Sequence, residues 1–459
     1  MSTLAYLEEN FPAALEDLKA FCRIPSVSTD PAYAEGISDA ANFVAQRLRK
    51  AGFSSVELLK TGGHPAVYGE VISDPSLPTF LVYGHYDVQP PDPLEKWTTP
   101  PFEPDERDGR LYARGVSDDK GPLLIPILVA EAYLRAEGRL PVNLKVLIEG
   151  EEESGSPHFE ATLQSYREKL GCDLVISADG AMWRPDRPSM TVASRGLAAF
   201  EVTVTGAAKD LHSGRHGGSA PNPIGALATL LASLHGPDGR VDVEGFLDGT
   251  SPPDARIVAA IEEAAFDSAA YYRDIGVSGA DPIDTGRELL IRQWLEPTLE
   301  FNGISGGYQG KGTKTVIPSS ASAKITCRLI AGQKPDHVVA AVARHLEARL
   351  PRGFSLDIHR HGPGSEAFFI DSDLPALSIA EGVLAELLGR PPLRVAMGAT
   401  IPIGASFRRH LGVEAIFFSF STSDEDYHAP NEFFRLANFR LGTKAWAMLL
   451  QRLGDRYRA

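Results

Sequence analysis

The order of apolar and polar positions divides the chain into two styles of folding. Residues 3–22 and 36–51 carry apolar side chains at helical spacing, and the second run stops before Gly52, a residue suited to closing a helix. Runs at 55–59, 66–72 and 78–83 read as strands. Phe80-Leu-Val-Tyr83 is apolar without alternation, the pattern of a strand covered on both faces. An apolar helix over about 119–138, a strand over 142–149, a helix over 157–168 and a strand over 173–177 continue the alternation, which implies an α/β sheet. Near 193 the style changes. Residues 197–206 alternate as a half-buried strand, a helix follows over 222–235, and a long acidic region punctuated by Gly and Pro runs to about 312. Strand 320–330, helix 335–349 and strand 354–361 give this part α+β character. From 371 the first style returns, with helices over 372–389 and 402–411, a strand over 413–419 and a C-terminal helix over about 432–453. The expectation is an α/β domain in two parts, 1–193 and 367–459, interrupted by an α+β insert over 194–366.

Bulk composition narrows the function. The 459 residues allow two or three domains, and 43% hydrophobic with 23% charged residues is an ordinary globular balance. Sixty acids against 45 bases give a net charge of −15, which argues against nucleic acid and against an anionic membrane surface. Pro122 to Ala130, the longest apolar stretch, is too short to span a bilayer. Met1 to Phe11 lacks the basic start and apolar core of a signal peptide. Cys22, Cys172 and Cys327 are odd in number and far apart, so a reducing cytoplasm is expected rather than a disulfide framework.

The chemistry concentrates at strand ends. Glu149-Gly-Glu-Glu-Glu-Ser-Gly-Ser156 follows an apolar strand, and carboxylates crowded there repel one another unless positive charge sits among them. Five candidate ligands, His85, Asp118, Glu153, Asp179 and His428, fall at or just beyond ends of core strands, where ligands of open α/β sheets gather. Two imidazoles and three carboxylates suit a pair of divalent ions, zinc first, manganese or cobalt as alternatives, with one carboxylate bridging. Asp87 is spaced to support His85, and a glutamate beside a ligating glutamate is placed to act as general base on water. Singly, each residue has an ordinary reading: a loop histidine, a helix cap at Asp118-Asp119, a turn at Asp179-Gly180, a surface His428. The case for a site is joint.

Gly84-His-Tyr-Asp-Val88, Arg114-Gly-Val-Ser-Asp-Asp-Lys-Gly121 and Glu152-Glu-Ser-Gly155 strongly resemble the co-catalytic dinuclear zinc metallopeptidases, the family of aminoacylases, glutamate carboxypeptidases and dipeptidases. Lys209-Asp-Leu-His-Ser-Gly214, Lys314-Thr-Val-Ile-Pro318, Cys327-Arg-Leu329 and Tyr427-His-Ala-Pro-Asn-Glu432 look most like its cytosolic non-specific dipeptidase and carnosinase group. The resemblance implies a mixed-sheet catalytic domain with an inserted lid and dimerisation domain. It implies that His85 and Asp179 bind one metal, Glu153 and His428 the other, and that Asp118 bridges, followed by a cis bond. It implies Glu152 as general base toward a water at the metals, Asp87 as support for His85, and His212 as oxyanion donor from the partner of a homodimer. Arg328 would hold the substrate carboxylate, assisted by Thr315, His361 and Thr400. The loop Met397-Gly-Ala-Thr-Ile-Pro402 departs from the more Gly/Ser-rich version of several relatives, which bears on Thr400. The expected reaction is metal-dependent hydrolysis of dipeptides. Alternatives are an amidohydrolase on N-acyl amino acids, a carboxypeptidase on longer peptides, a two-metal phosphatase, for which no basic clamp beyond Arg328 is evident, and a metal-free scaffold, which would be expected to have lost a ligand or the base.

Overall fold

In the computed structural model, residues 1–277 and 285–457 are described; part of the acidic stretch of the insert and the last two residues lie outside them. The chain separates into two compact units: Met1–Val192 with Ile370–Val395 and Ser406–Ala459, and Ala193–Phe369 with Ala396–Ala405.

The first unit is built on a six-stranded mixed sheet. Thr79–His85 lies inside it, parallel to Asn143–Glu149 on one side and to Leu174–Ser177 on the other. Phe80, Leu81, Val82 and Tyr83 are fully buried, which explains their unbroken apolar run. Ala415–Phe417 extends the parallel side, while Ala66–Val71 and Ser55–Leu59 close the other edge antiparallel. Three parallel strands thus end side by side at His85, Glu149 and Ser177. Helix Gly121–Ala136 is buried along nearly its whole length. Helix Ala34–Ala51 ends on Gly52 at φ 99°, a left-handed value that glycine takes without a Cβ penalty.

The second unit carries a four-stranded antiparallel sheet, ordered Thr298–Gly306, Ser320–Leu329, Gly196–Thr205, Ser355–Arg360. Ala198, Phe200, Val202 and Val204 alternate onto one face, where they pack with Leu227, Leu230 and Leu231 of helix Pro223–Ala232 and with Val338, Val342 and Leu346 of helix Pro335–Arg349. Leu197, Glu201, Thr326 and Arg328 occupy the other face.

The structure revises several sequence expectations. Residues 3–22 form two helices, Thr3–Glu9 and Phe11–Cys22, because Asn10 leaves the helical region and Pro12 starts the second helix, where its missing N–H costs nothing. The region read as irregular holds helices Ala255–Ala264, Ser268–Asp274 and Gly286–Trp294 and the strand Thr298–Gly306. Ala396–Ala405, read with the C-terminal part of the first domain, belongs to the second unit. It is tied there by Arg195 Nε donating to the Gly398 carbonyl at 2.7 Å and by Arg328 Nη1 donating to Thr400 Oγ1 at 2.7 Å. Among the described residues no helix is long and apolar enough to cross a membrane.

Candidate metal centre

His85 ends its strand fully buried, and its Nδ1 donates to the Asp87 carbonyl oxygen at 3.0 Å. That bond aims Nε2 at Asp118 Oδ1, 3.0 Å away. The Asp87 carboxylate is also buried and accepts the backbone N–H groups of Glu152 at 3.2 Å and Glu153 at 3.0 Å. One aspartate therefore orients the histidine through its backbone and pins the acidic turn through its side chain. Gln89 Nε2 donates to Glu153 Oε2 at 2.8 Å. His428, held at φ 64°, places Nε2 3.0 Å from Asp118 Oδ2 and 3.2 Å from Glu153 Oε2. Asp179 follows the Leu174–Ser177 strand and completes the group.

The donor atoms fall into two sets, His85 with Asp118 and Asp179, and Asp118 with Glu153 and His428, each within 4.8 Å of one another. Asp118 is common to both and has one oxygen toward each histidine. The bond from Asp118 to Asp119 is cis.

Electrostatics test whether this set fits divalent cations. Asp118 first and then Glu153 push His428 up to about 10. Burial disfavours a charged His85, yet Asp118 and Asp87 outweigh it and hold this imidazole well above its ordinary value. Burial, opposed by His85 and reinforced by Asp118 and Glu153, pushes Asp179 up to about 6. Burial, again opposed by His85 and reinforced by Asp179, Asp118 and Glu153, holds Glu152 well above the carboxylate range. Burial would raise Asp118, yet His428 and His85 hold it below its ordinary value. Imidazoles driven to be cationic, an ionised Asp118, and Glu152 and Asp179 driven to keep protons make a cluster short of positive charge. Divalent cations supply that charge while leaving the imidazoles neutral and ligating, so the residues fit them.

Two buried groups beneath the site escaped the sequence reading as functional candidates. Glu432 Oε2 accepts from Arg114 Nη1 at 2.7 Å and from the Gly115 N–H at 2.8 Å, while Oε1 accepts the N–H groups of Ser117 at 2.9 Å and Asp118 at 3.2 Å. It cradles the loop that presents Asp118. Glu425 Oε2 accepts from Ser117 Oγ at 2.7 Å on the same loop. Glu432 stood within a quoted motif, four residues after His428; nothing local marked Glu425.

The other candidates lie in the second unit. Arg328 on its strand meets Thr400. His212 sits exposed in a two-stranded ladder opposite Val316, and the Thr315 carbonyl accepts the Ser213 N–H at 3.1 Å. His361 is exposed, its N–H donates to the Ala199 carbonyl at 2.9 Å, its Nε2 lies 3.8 Å from Glu201 Oε2 and its ring is edge-on to His359.

Residues 81–452 match the family model for Peptidase family M20/M25/M40, most of the chain. The chain belongs to this family. Among relatives, the M20 chain is 32% identical to a human Beta-Ala-His dipeptidase over 83% of its own length and 76% of the relative's. It is 28% identical to a Cys-Gly metallodipeptidase of Saccharomyces cerevisiae over 96% and 95% of the two chains. A solved M20 metallo-carboxypeptidase of Sulfolobus solfataricus superposes with a TM-score of 0.85 at 30% identity, covering 96% of this chain and 99% of that one.

Proposed function

We propose that this M20 member is a metal-dependent dipeptidase. The observation that carries the reading is the pair of donor sets sharing Asp118, with Glu152 next to Glu153 on a turn that Asp87 pins. The dipeptidase names of relatives that match along most of the chain support the substrate class.

In this reading His85 and Asp179 would hold one ion and Glu153 and His428 the other, with Asp118 shared between the two sets. Zinc is the first choice for this mixture of imidazole and carboxylate, with manganese or cobalt as alternatives. When bound, the ions supply Lewis acidity, which polarises the peptide carbonyl and makes water a stronger acid. Glu152 takes the proton from the attacking water and returns it to the leaving amine. Asp87 keeps His85 in the tautomer whose Nε2 ligates. Arg328 forks onto the substrate's terminal carboxylate, with Thr400, Thr315 and His361 assisting. His212 donates a hydrogen bond to the developing oxyanion.

We infer a homodimer with His212 acting on the partner's site. Support comes from Thr298–Gly306, an outer strand of its sheet that exposes Phe301 and Ile304 along an edge that no further strand pairs among the described residues. Three unpaired cysteines accord with a cytoplasmic location. The test is hydrolysis of a panel of free dipeptides, tripeptides and N-acetyl amino acids by protein loaded with zinc or manganese. Dipeptides should turn over fastest. Faster N-acetyl cleavage would replace the reading with an amidohydrolase, and faster tripeptide cleavage with a carboxypeptidase.

A further inference from the structure

At the start of a strand next to the one that carries Arg328 stands a second arginine. Leu197 lies directly across from Arg328, and Arg195 immediately precedes the strand Gly196–Thr205 that carries Leu197, near enough for the Arg328 charge to act on it. Arg195 is half-buried and committed to backbone. Its Nε donates to the Gly398 carbonyl at 2.7 Å, its Nη1 to the Glu296 carbonyl at 3.2 Å, and its own N–H to the carbonyls of Met397 at 3.3 Å and Ala399 at 3.2 Å. The neighbouring Ser194 Oγ accepts the Ile401 N–H at 3.3 Å. Four hydrogen bonds of residues 194 and 195 thus involve the turn or its flank, and they fix the backbone on both sides of Thr400. Gly398 permits the approach: a Cβ there would stand 2.9 Å from the Gln293 carbonyl oxygen and 3.2 Å from Arg195 Nη2.

Charge points the same way. Among the described residues neither Arg195 nor Arg328 has a carboxylate at ion-pair distance. Burial, the Arg328 guanidinium beside it and the weaker pull of Glu300 leave Arg195 lowered to about 10. Two adjacent guanidiniums without a counter-ion are costly unless an anion arrives to share them. The Arg195 side chain ends on the carbonyls of Gly398 and Glu296 and on no carboxylate among the described residues.

We propose that Arg195 is a positioning residue for carboxylate recognition. It clamps the Met397–Ala399 backbone so that Thr400 holds one arm of Arg328, leaving the remaining N–H groups of that guanidinium to fork the substrate carboxylate. The inference rests on the reading that Arg328 takes that carboxylate. It makes the departure of the 397–402 loop from its more Gly/Ser-rich relatives part of specificity in this chain.

The test compares free dipeptides with their C-terminal amides, kcat and KM measured separately on metal-loaded protein. Arg195→Met is expected to raise KM for the free acid ~10–100-fold, the loss of a charge-assisted contact, with a much smaller effect on the amide. Arg195→Lys keeps the charge but not the planar fork, so rescue should be partial. Gly398→Ala perturbs the clamp from the other side with both arginines intact and should also damage the acid selectively. Arg195→Met added to Arg328→Ala should cost little more than Arg328→Ala alone. Equal losses on acid and amide with Arg195→Met, full rescue by lysine, or additivity with Arg328→Ala would each overturn the proposal. If Arg195→Met does not fold, as judged by near-UV circular dichroism, Gly398→Ala decides it: acid-selective damage supports the clamp, and none overturns it. Equal losses on acid and amide with Arg328→Ala would instead sink the reading beneath the proposal, and the proposal with it.

Discussion

At the scale of the residue, groups that would hold metal in the proposed reading are separate from a group that would move a proton. His85, Asp118, Glu153 and His428 are tied to one another, while Glu152 is fixed through its backbone by Asp87, and in the proposed reading its carboxylate is the base. Glu152→Gln preserves the size of the side chain and removes its capacity to accept a proton. It is expected to lower kcat by about 10²–10⁴-fold while metal content by elemental analysis stays unchanged. A variant with near wild-type kcat would assign the base to another group, and Glu151 is the next to test. Glu151 is itself paired with His158 at 2.9 Å, which already gives its carboxylate a structural task.

At the scale of the element, the informative unit is the loop before helix Gly121–Ala136. It presents Asp118, and all its inward N–H groups from Gly115 to Asp118 except that of Val116 end on the single carboxylate of Glu432. Arg114 neutralises that carboxylate, and both side chains are buried at 1% exposure. Arg114→Met would leave the Glu432 charge without its cation, and breaking a buried pair from one side costs about 3–5 kcal/mol. Urea denaturation of the metal-free protein should show a loss of that order. A change within about 0.5 kcal/mol would mean that the loop's own hydrogen bonds suffice.

At the scale of the whole molecule, two expectations can be read without knowing the substrate. Burial pushes the thiols of Cys22, Cys172 and Cys327 each up to about 12. Since the thiolate is the reactive form, thiol reagents at pH 8 should label the native protein slowly and three thiols per chain after unfolding. Rapid native labelling of all three would contradict this burial. The second expectation concerns assembly. If His212 serves the partner's site, mixing inactive Glu152→Gln chains with inactive His212→Ala chains under subunit exchange should restore activity, because each mixed dimer contains one site free of both defects. If His212 serves its own chain, every site retains one defect. Mixed dimers confirmed by mass that stay inactive would rule out the trans assignment.

What the sequence determined by itself was the kind of element over most of the first unit and the family motifs. The apolar runs Phe80–Tyr83 and Val146–Ile148 marked the strands Thr79–His85 and Asn143–Glu149, because a strand covered on both faces needs no polar alternation. Motif order carried the family, since Gly84–Val88, Arg114–Gly121 and Glu152–Gly155 are local strings. The helices of 255–294 were not legible, because short helices separated by Gly, Pro and acids carry little periodicity of their own. Nor was the place of Ala396–Ala405, which depends on hydrogen bonds from Arg195 and Arg328, residues 203 and 72 positions away from their partners. Tertiary structure alone brings one oxygen of Asp118 to His85 and the other to His428, and seats Glu432 beneath the loop that makes this happen. The physical reason is common to all three cases. Periodicity reports which face of an element is buried, whereas a charge that must be shared among distant side chains is settled only when the chain has closed around it.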